Sequence, residues 1–280
     1  MAQTFTYVDE DLGIDLTHKT RLDTMVTVID ANSFWEDYSS GESLIDRQQG
    51  TDQTDKREIA DLLLEQAEFA DIIILIKIDL IEDHDVKELT AFLKKINAEA
   101  KNVNLNSVLN THLFDFDKAS QAAGWIKELN EDHIPESEEY EISSFVYRRK
   151  KPFHPERLYQ WLENWPVDIV RAKGFFWLAS RNDMVGMLSQ AGSTITIQGA
   201  GEWIVTLTQI EQEEMRKEDQ LLDNKWDDIF GDRMTELVLI GIDLNRSLIE
   251  ESLDKCLLTK DEMELDWNEF NDPIPEFVQA

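Results

Sequence analysis

Few residues in this chain are of a type and spacing that could do chemistry. Lys77 and Asp79 close the run Ile72 to Leu80 (IIILIKIDL), which sets a cation and a carboxylate two residues apart at the end of an apolar, β-branched segment. Alone, the pair specifies no reaction, because strands of parallel sheets often end in such residues. The five histidines, His18, His84, His112, His133 and His154, show no H-x-x-x-H or comparable ligand spacing. His84 sits in Glu82-Asp83-His84-Asp85, an oxygen-rich cluster able to hold a cation weakly, although a solvated loop is the commoner explanation. His154 precedes Pro155 at a predicted helix start, where capping or packing outweighs metal ligation. Cys256 is the one cysteine, so neither an intrachain disulfide nor a four-cysteine zinc site can form. Its place on an apolar helical face makes it a small buried hydrophobe.

The elements that must position these residues change character along the chain. Thr24 to Ala31 (TMVTVIDA) and Ile72 to Leu80 read as buried parallel strands. Between them, Thr54 to Phe69 reads as a helix capped by Thr54 or Asp55, with Ile59, Leu62, Leu63, Gln66 and Phe69 on one face. Asp85 to Ala100 reads as a second helix, with Val86, Leu89, Phe92, Leu93 and Ile96 as its stripe. Strand, helix, strand, helix predicts a parallel α/β sheet with crossovers. The acidic, Pro-containing stretch near Asn130 to Glu141 predicts a linker, placed at 133–140 between domains 1–132 and 141–280.

Beyond it, strands are predicted at Ile142 to Arg148, Ile169 to Ala179, Met184 to Gln190, Thr194 to Ile197 and Thr235 to Ile242. Helices are predicted at Pro155 to Trp165, within Gln209 to Asp228 and at Ser247 to Leu257, giving an α+β layer. The tail Asp272-Pro273-Ile274-Pro275-Glu276-Phe277 is either an exposed recognition segment or packs back on its own domain, and packing back is the commoner outcome.

Composition narrows the partners. With 58 acidic against 27 basic residues the net charge is −31, which repels nucleic acid and anionic lipid. The hydrophobic fraction of 42%, including 13 Phe and 8 Trp, is ample for one large core or two ordinary ones. The polar start at Met1 to Asp11 and the short run Ile72 to Ile76 predict neither a secretory signal nor a membrane span, so a cytoplasmic protein is expected.

Several spaced segments in one order carry a resemblance. Arg21-Leu22-Asp23, Val26 to Ala31, Asp61 to Asp71 and Lys77-Ile78-Asp79-Leu80 resemble the second half of the GTPase domain of CobW-type proteins, a family of P-loop GTPases and metal chaperones. Leu109-Asn110-Thr111, Leu113-Phe114-Asp115 and Gly124-Trp125 are similar to the end of that domain. Pro152 to Leu158, Arg171-Ala172-Lys173-Gly174 with Trp177, Gly231-Asp232-Arg233, Glu236-Leu237-Val238 and Gly241-Ile242-Asp243 resemble the CobW C-terminal domain. The resemblance implies that Lys77 and Asp79 belong to a guanine-recognition Asn-Lys-x-Asp motif. There the Asp accepts two hydrogen bonds from the base edge and the Lys stem packs along the ring. Ile76 stands where the motif has Asn.

The same resemblance implies features that this sequence does not carry. None of its 11 glycines is followed by Lys, so it has no G-x-x-x-x-G-K-[ST] to cradle phosphates and magnesium. The family's Cys-x-Cys-Cys metal motif needs three cysteines. Ala98 replaces a usual Pro, and Lys101 to Ser107 is a shortened loop. The expectation is therefore a partial P-loop GTPase domain, N-terminally truncated, followed by a CobW C-terminal α+β domain. GTP and Mg, bound by the intact family, are not expected to bind here, and the metal handled, zinc or cobalt, is left open. Two functions remain: an inactive GTPase relative in metal delivery, or a non-enzymatic module docking a client metalloprotein or a complementing N-terminal chain. A sheet edge left open would also permit homo-oligomer formation.

Overall fold

The computed structural model describes residues 8–9, 14–15, 21–47, 49–50, 57–102, 111, 113–115 and 142–277. The chain divides into two compact units, Met1–Lys127 and Glu128–Ala280. The expected linker at 133–140, the segments Leu109-Asn110 and Gly124-Trp125, the loop 103–107 and His18, His112 and His133 lie outside the described residues.

In the first unit, β1 (Val8–Asp9) pairs antiparallel with β2 (Ile14–Asp15). A separate parallel sheet runs in the order β3 (Val26–Asp30), β4 (Ile72–Ile76) and β5 (Lys101–Asn102). Its connections contain α1 (Phe34–Ser39) and α2 (Ile59–Glu68) before β4, and α3 (Asp83–Ile96) after it. Parallel neighbours require such crossovers.

Three expectations need correction. The stretch after β3, to which the sequence assigned no element, contains α1, whose Phe34 and Tyr38 at i,i+4 spacing are buried. They gather with Trp35 around Phe92 of α3, with ring centroids 5.1 to 6.0 Å from it. Six residues are too few to show a helical period. Helix α2 starts at Ile59, not at Thr54, because Glu58 and Asp61 form a capping box. Its buried face is also rotated from the one predicted, to Ile59, Ala60, Leu64, Ala67 and Glu68, leaving Phe69 exposed. The small side chains of Ala60 and Ala67 pack against the unit's interior, a role that hydrophobicity ranking assigned to the larger Leu62 and Leu63. Finally, β4 ends at Ile76, not at Leu80: Lys77 takes a left-handed conformation, with φ 56° and ψ 28°, and a 3-10 turn follows over Ile78–Leu80.

The two sides of β3 differ in exposure. The hydroxyl of Thr27 donates to the Gln66 carbonyl of α2 at 2.7 Å, and Ile29 is buried, so α2 covers that side. Val26 and Val28, which alternate to the other side, are 39% and 56% exposed.

The second unit is a five-stranded antiparallel sheet in the order β6 (Ile142–Arg149), β10 (Thr235–Ile242), β7 (Ile169–Phe176), β8 (Met184–Ala191), β9 (Thr194–Glu202). Central strand β10, the most continuous apolar run, is buried from Thr235 to Gly241. Helices α4 (Pro155–Glu163) and α7 (Arg246–Asp254) place Leu158, Leu162, Ile249 and Leu253 in one core with Phe145, Tyr147, Phe176 and Leu239. The charged stretch after β9 forms α5 (Gln209–Glu218), capped by Thr208, and α6 (Gln220–Lys225). Expected and observed strands agree closely here, except that β7 stops three residues short of Ala179, at Phe176, and β9 runs five residues further, to Glu202.

Candidate functional site

The carboxyl ends of parallel strands are where ligands enter open α/β sheets, and this is where the two sequence-predicted residues fall. Asp30, the last residue of β3, lies opposite Ile76, the last of β4, and the Ala31 amide donates to the Ile76 carbonyl at 3.0 Å. The left-handed turn at Lys77 then carries its side chain toward β3, with Nζ 2.5 Å from Asp30 Oδ2. The other Asp30 oxygen accepts the Asn32 amide at 3.1 Å. The Lys77 hydrogen bond, aided by the Asn32 amide, holds the Asp30 carboxyl below its usual range. Asp79, on the 3-10 turn, is exposed and makes no hydrogen bond or ion pair with any described residue. Ile76, Ile78 and Leu80 around it are 40%, 48% and 60% exposed.

Asn97, at the end of α3, is 2% exposed and braces the opposite, amino end of β4. Its Nδ2 donates to the carbonyls of Ala67, Glu68 and Ala70, where α2 turns into β4. Its Oδ1 accepts the amides of Glu99 and Ala100. Sequence reasoning singled out neither Asp30 nor Asn97. For Asp30 a signal was present, a carboxylate closing one buried strand beside the strand that Lys77 follows.

The two ends of a nucleotide fare differently here. A planar base with donors on its edge fits an exposed carboxylate next to a lysine stem. For phosphates and magnesium the residues of this chain offer no G-x-x-x-x-G-K-[ST] cradle, as no glycine among them is directly followed by lysine. Among the described residues no group of three His, Cys, Asp or Glu side chains could hold a metal ion. The Glu82 to Asp85 cluster caps and opens α3, with His84 4.0 Å from Glu88. His154 packs on Phe270 at 4.8 Å between centroids, and burial pushes its imidazole down. Burial likewise pushes the Cys256 thiol up to about 11, as befits a packing residue.

The motif residues of the second unit are braces. Asp232 accepts the amides of Ile204 and Val205 at 2.8 and 2.9 Å, and Arg233 reaches the Asn182 carbonyl and Asp183. The Trp177 indole donates to Asn182 at 3.0 Å. The terminal tail packs back: Arg181 holds Asp272 and the Ile274 and Pro275 carbonyls while lying 4.3 Å over the Phe277 ring.

Comparison with known proteins places these two units. Residues 1–104 match the CobW/HypB/UreG nucleotide-binding domain, and residues 142–257 match the cobalamin synthesis protein CobW C-terminal domain. The chain belongs to the CobW family. Among its CobW-family relatives, the zinc-regulated GTPase metalloprotein activator 1 of Dictyostelium discoideum is 43% identical over 98% of this chain and 60% of its own length. A zinc chaperone of Mycobacterium tuberculosis is 26% identical over 97% of this chain and 65% of its own. This CobW-family chain thus spans about 60 to 65% of the length of these relatives. The Zn(II)-bound YjiA GTPase of E. coli aligns with 91% of the chain and 65% of its own at 17% identity, with a TM-score of 0.36. Among the described residues no helix is long and apolar enough to cross a membrane.

Proposed function

We propose that this CobW-family chain works in the cytoplasm in metal delivery, with zinc as cargo and a metalloprotein as client, and that it recognises a guanine base without hydrolysing GTP. What carries the reading is the exposed, unpaired Asp79 beside Lys77 at the mouth of the parallel sheet, in a chain 43% identical to a protein named as a zinc-regulated GTPase metalloprotein activator. Asp79 is the acceptor for the base edge and the Lys77 stem is the surface along the ring. Hydrolysis is assigned as absent because in-line attack on a γ-phosphate needs a phosphate cradle and a held magnesium ion, and this sequence offers no Gly-Lys.

Two measurements test this reading. Steady-state GTP turnover by the purified chain is expected to equal that of a Lys77→Ala/Asp79→Ala double variant, and turnover well above the double variant would refute it. In zinc-limited cells, loss of the chain is expected to lower zinc occupancy of at least one metalloprotein. Unchanged occupancy throughout would remove the delivery role.

A second reading has its own support. The side of β3 carrying Val26 and Val28 is apolar sheet surface of the kind that partners cover. On this reading the chain docks a complementing chain or a second copy of itself through the β3 side, and the docked partner covers these valines.

A further inference from the structure

We propose that Asp30 is a positioning residue for base recognition: it draws the Lys77 ammonium across the gap between β3 and β4 and so leaves Asp79 free to accept hydrogen bonds. The inference rests on the reading of Lys77 and Asp79 as the base site and adds a residue to it. Four observations carry it. Asp30 stands opposite Ile76 in the parallel ladder, which brings its carboxylate within reach of the residue that follows. Both of its oxygens are committed, one to the Asn32 amide and one to Lys77 Nζ. A bulky residue at positive φ is uncommon and persists where its surroundings over-determine it. At Lys77 those surroundings are the Asp30 contact and the Leu80 amide, which donates to the Lys77 carbonyl at 3.1 Å. Last, the Ile76 side chain has no hydrogen-bonding group, so Asp30 supplies the polar side-chain tie across the turn.

The chemistry of the spacing explains why such a tie matters. A lysine two residues from a carboxylate on an exposed turn is an available counter-ion for it, and a paired Asp79 would be a poorer acceptor for a base. Asp30 removes that competitor. With the ammonium turned aside, the aliphatic stem is the part of Lys77 left to pack against a ring. Because the Lys77 and Asp30 side chains are 51% and 27% exposed, breaking the pair changes the position of Lys77 far more than it changes stability.

The test uses the full chain and two readouts, on wild type, Asp30→Asn and the conservative Asp30→Glu. The first needs no ligand: reductive methylation rates at each lysine, read by mass spectrometry. Lys77 is expected to react about 3- to 10-fold faster in Asp30→Asn and at near wild-type rate in Asp30→Glu, with other lysines unchanged. Equal Lys77 rates in wild type and Asp30→Asn would overturn the proposal. The second is titration with GMP and AMP. Wild type is expected to favour GMP, Asp30→Asn to lose about 3- to 10-fold of that preference with AMP unchanged, and Asp30→Glu to regain it. If wild type prefers GMP and Asp30→Asn keeps the full preference, the positioning role fails and the base site stands. If wild type shows no preference, the base site fails and the role of Asp30 falls with it.

Discussion

Asn97 Nδ2 lies 2.9 Å from the carbonyl oxygen of Ala67, across 30 residues of chain. The same amide group reaches the Glu68 and Ala70 carbonyls, so one buried side chain satisfies the backbone where α2 ends and β4 is about to begin. Asn97→Ala removes this buried donor from all three carbonyls, of which Ala67's keeps the Ala70 amide. The expected cost is about 3 kcal/mol of stability in the first unit, read as a lower midpoint in urea denaturation. A change within about 0.5 kcal/mol would show that the network carries no net stability.

Arg157 on α4 grips both oxygens of Glu262 at 2.8 and 2.7 Å. This contact, with help from Thr259, holds the Glu262 carboxyl down at about 2 against an ordinary 4.5. A folded-state value below the unfolded one stabilises fully above the unfolded value, and the contribution disappears as pH falls from about 4.5 through about 2. Glu262→Gln is therefore expected to be about 1 to 2 kcal/mol less stable than wild type at pH 7. The difference should shrink steadily below pH 4.5 in denaturation curves taken across that range.

Gly174 sits at φ +152° on β7, and a Cβ there would lie 2.1 Å from the Glu236 carbonyl oxygen on central strand β10. The nearest atoms are all backbone of Glu236 and Leu237, so no flexible side chain can give way. Gly174→Ala should cost more than about 3 kcal/mol or abolish soluble expression, whereas Gly201→Ala, with open space around its Cβ, should cost less. Equal stability of the two variants, measured by thermal unfolding, would contradict the packing described.

Legibility in the sequence followed burial. The continuous apolar runs of β4 and β10 announce themselves, because central strands are covered on both faces and vary little in polarity. The second unit, where strands are long, was therefore legible strand by strand, with the ends of β7 and β9 displaced. Helix α1 was not, since its identity comes from three aromatics closing on Phe92 some 60 residues away. The face of α2 was misjudged for a related reason: Ala60 and Ala67 win their place by closeness of approach, which hydrophobicity does not measure. At the site, Lys77 and Asp79 were legible as types, but the left-handed turn that separates their directions is a backbone fact with no glycine to mark it.

If the exposed side of β3 receives a second copy, association should be concentration-dependent and should strengthen with salt, because each chain carries a net charge of −31. Val28, 56% exposed at the centre of that face, is the residue to change. Sedimentation velocity is expected to show a dimer for wild type in moderate salt and a monomer for Val28→Lys. A wild type that stays monomeric at high concentration would exclude the second copy as the occupant.

The central claim is that Asp79 recognises a guanine base in a chain that does not turn GTP over. Isothermal titration of the purified chain with GMP and with AMP, repeated on Asp79→Ala, addresses it most directly. Losing two hydrogen bonds to a carboxylate corresponds to at least about 10-fold in affinity. Wild type should therefore bind GMP at least about 10-fold tighter than AMP, and Asp79→Ala should bind the two alike. Equal binding of GMP and AMP by wild type, or a GMP preference that survives Asp79→Ala, would contradict the account.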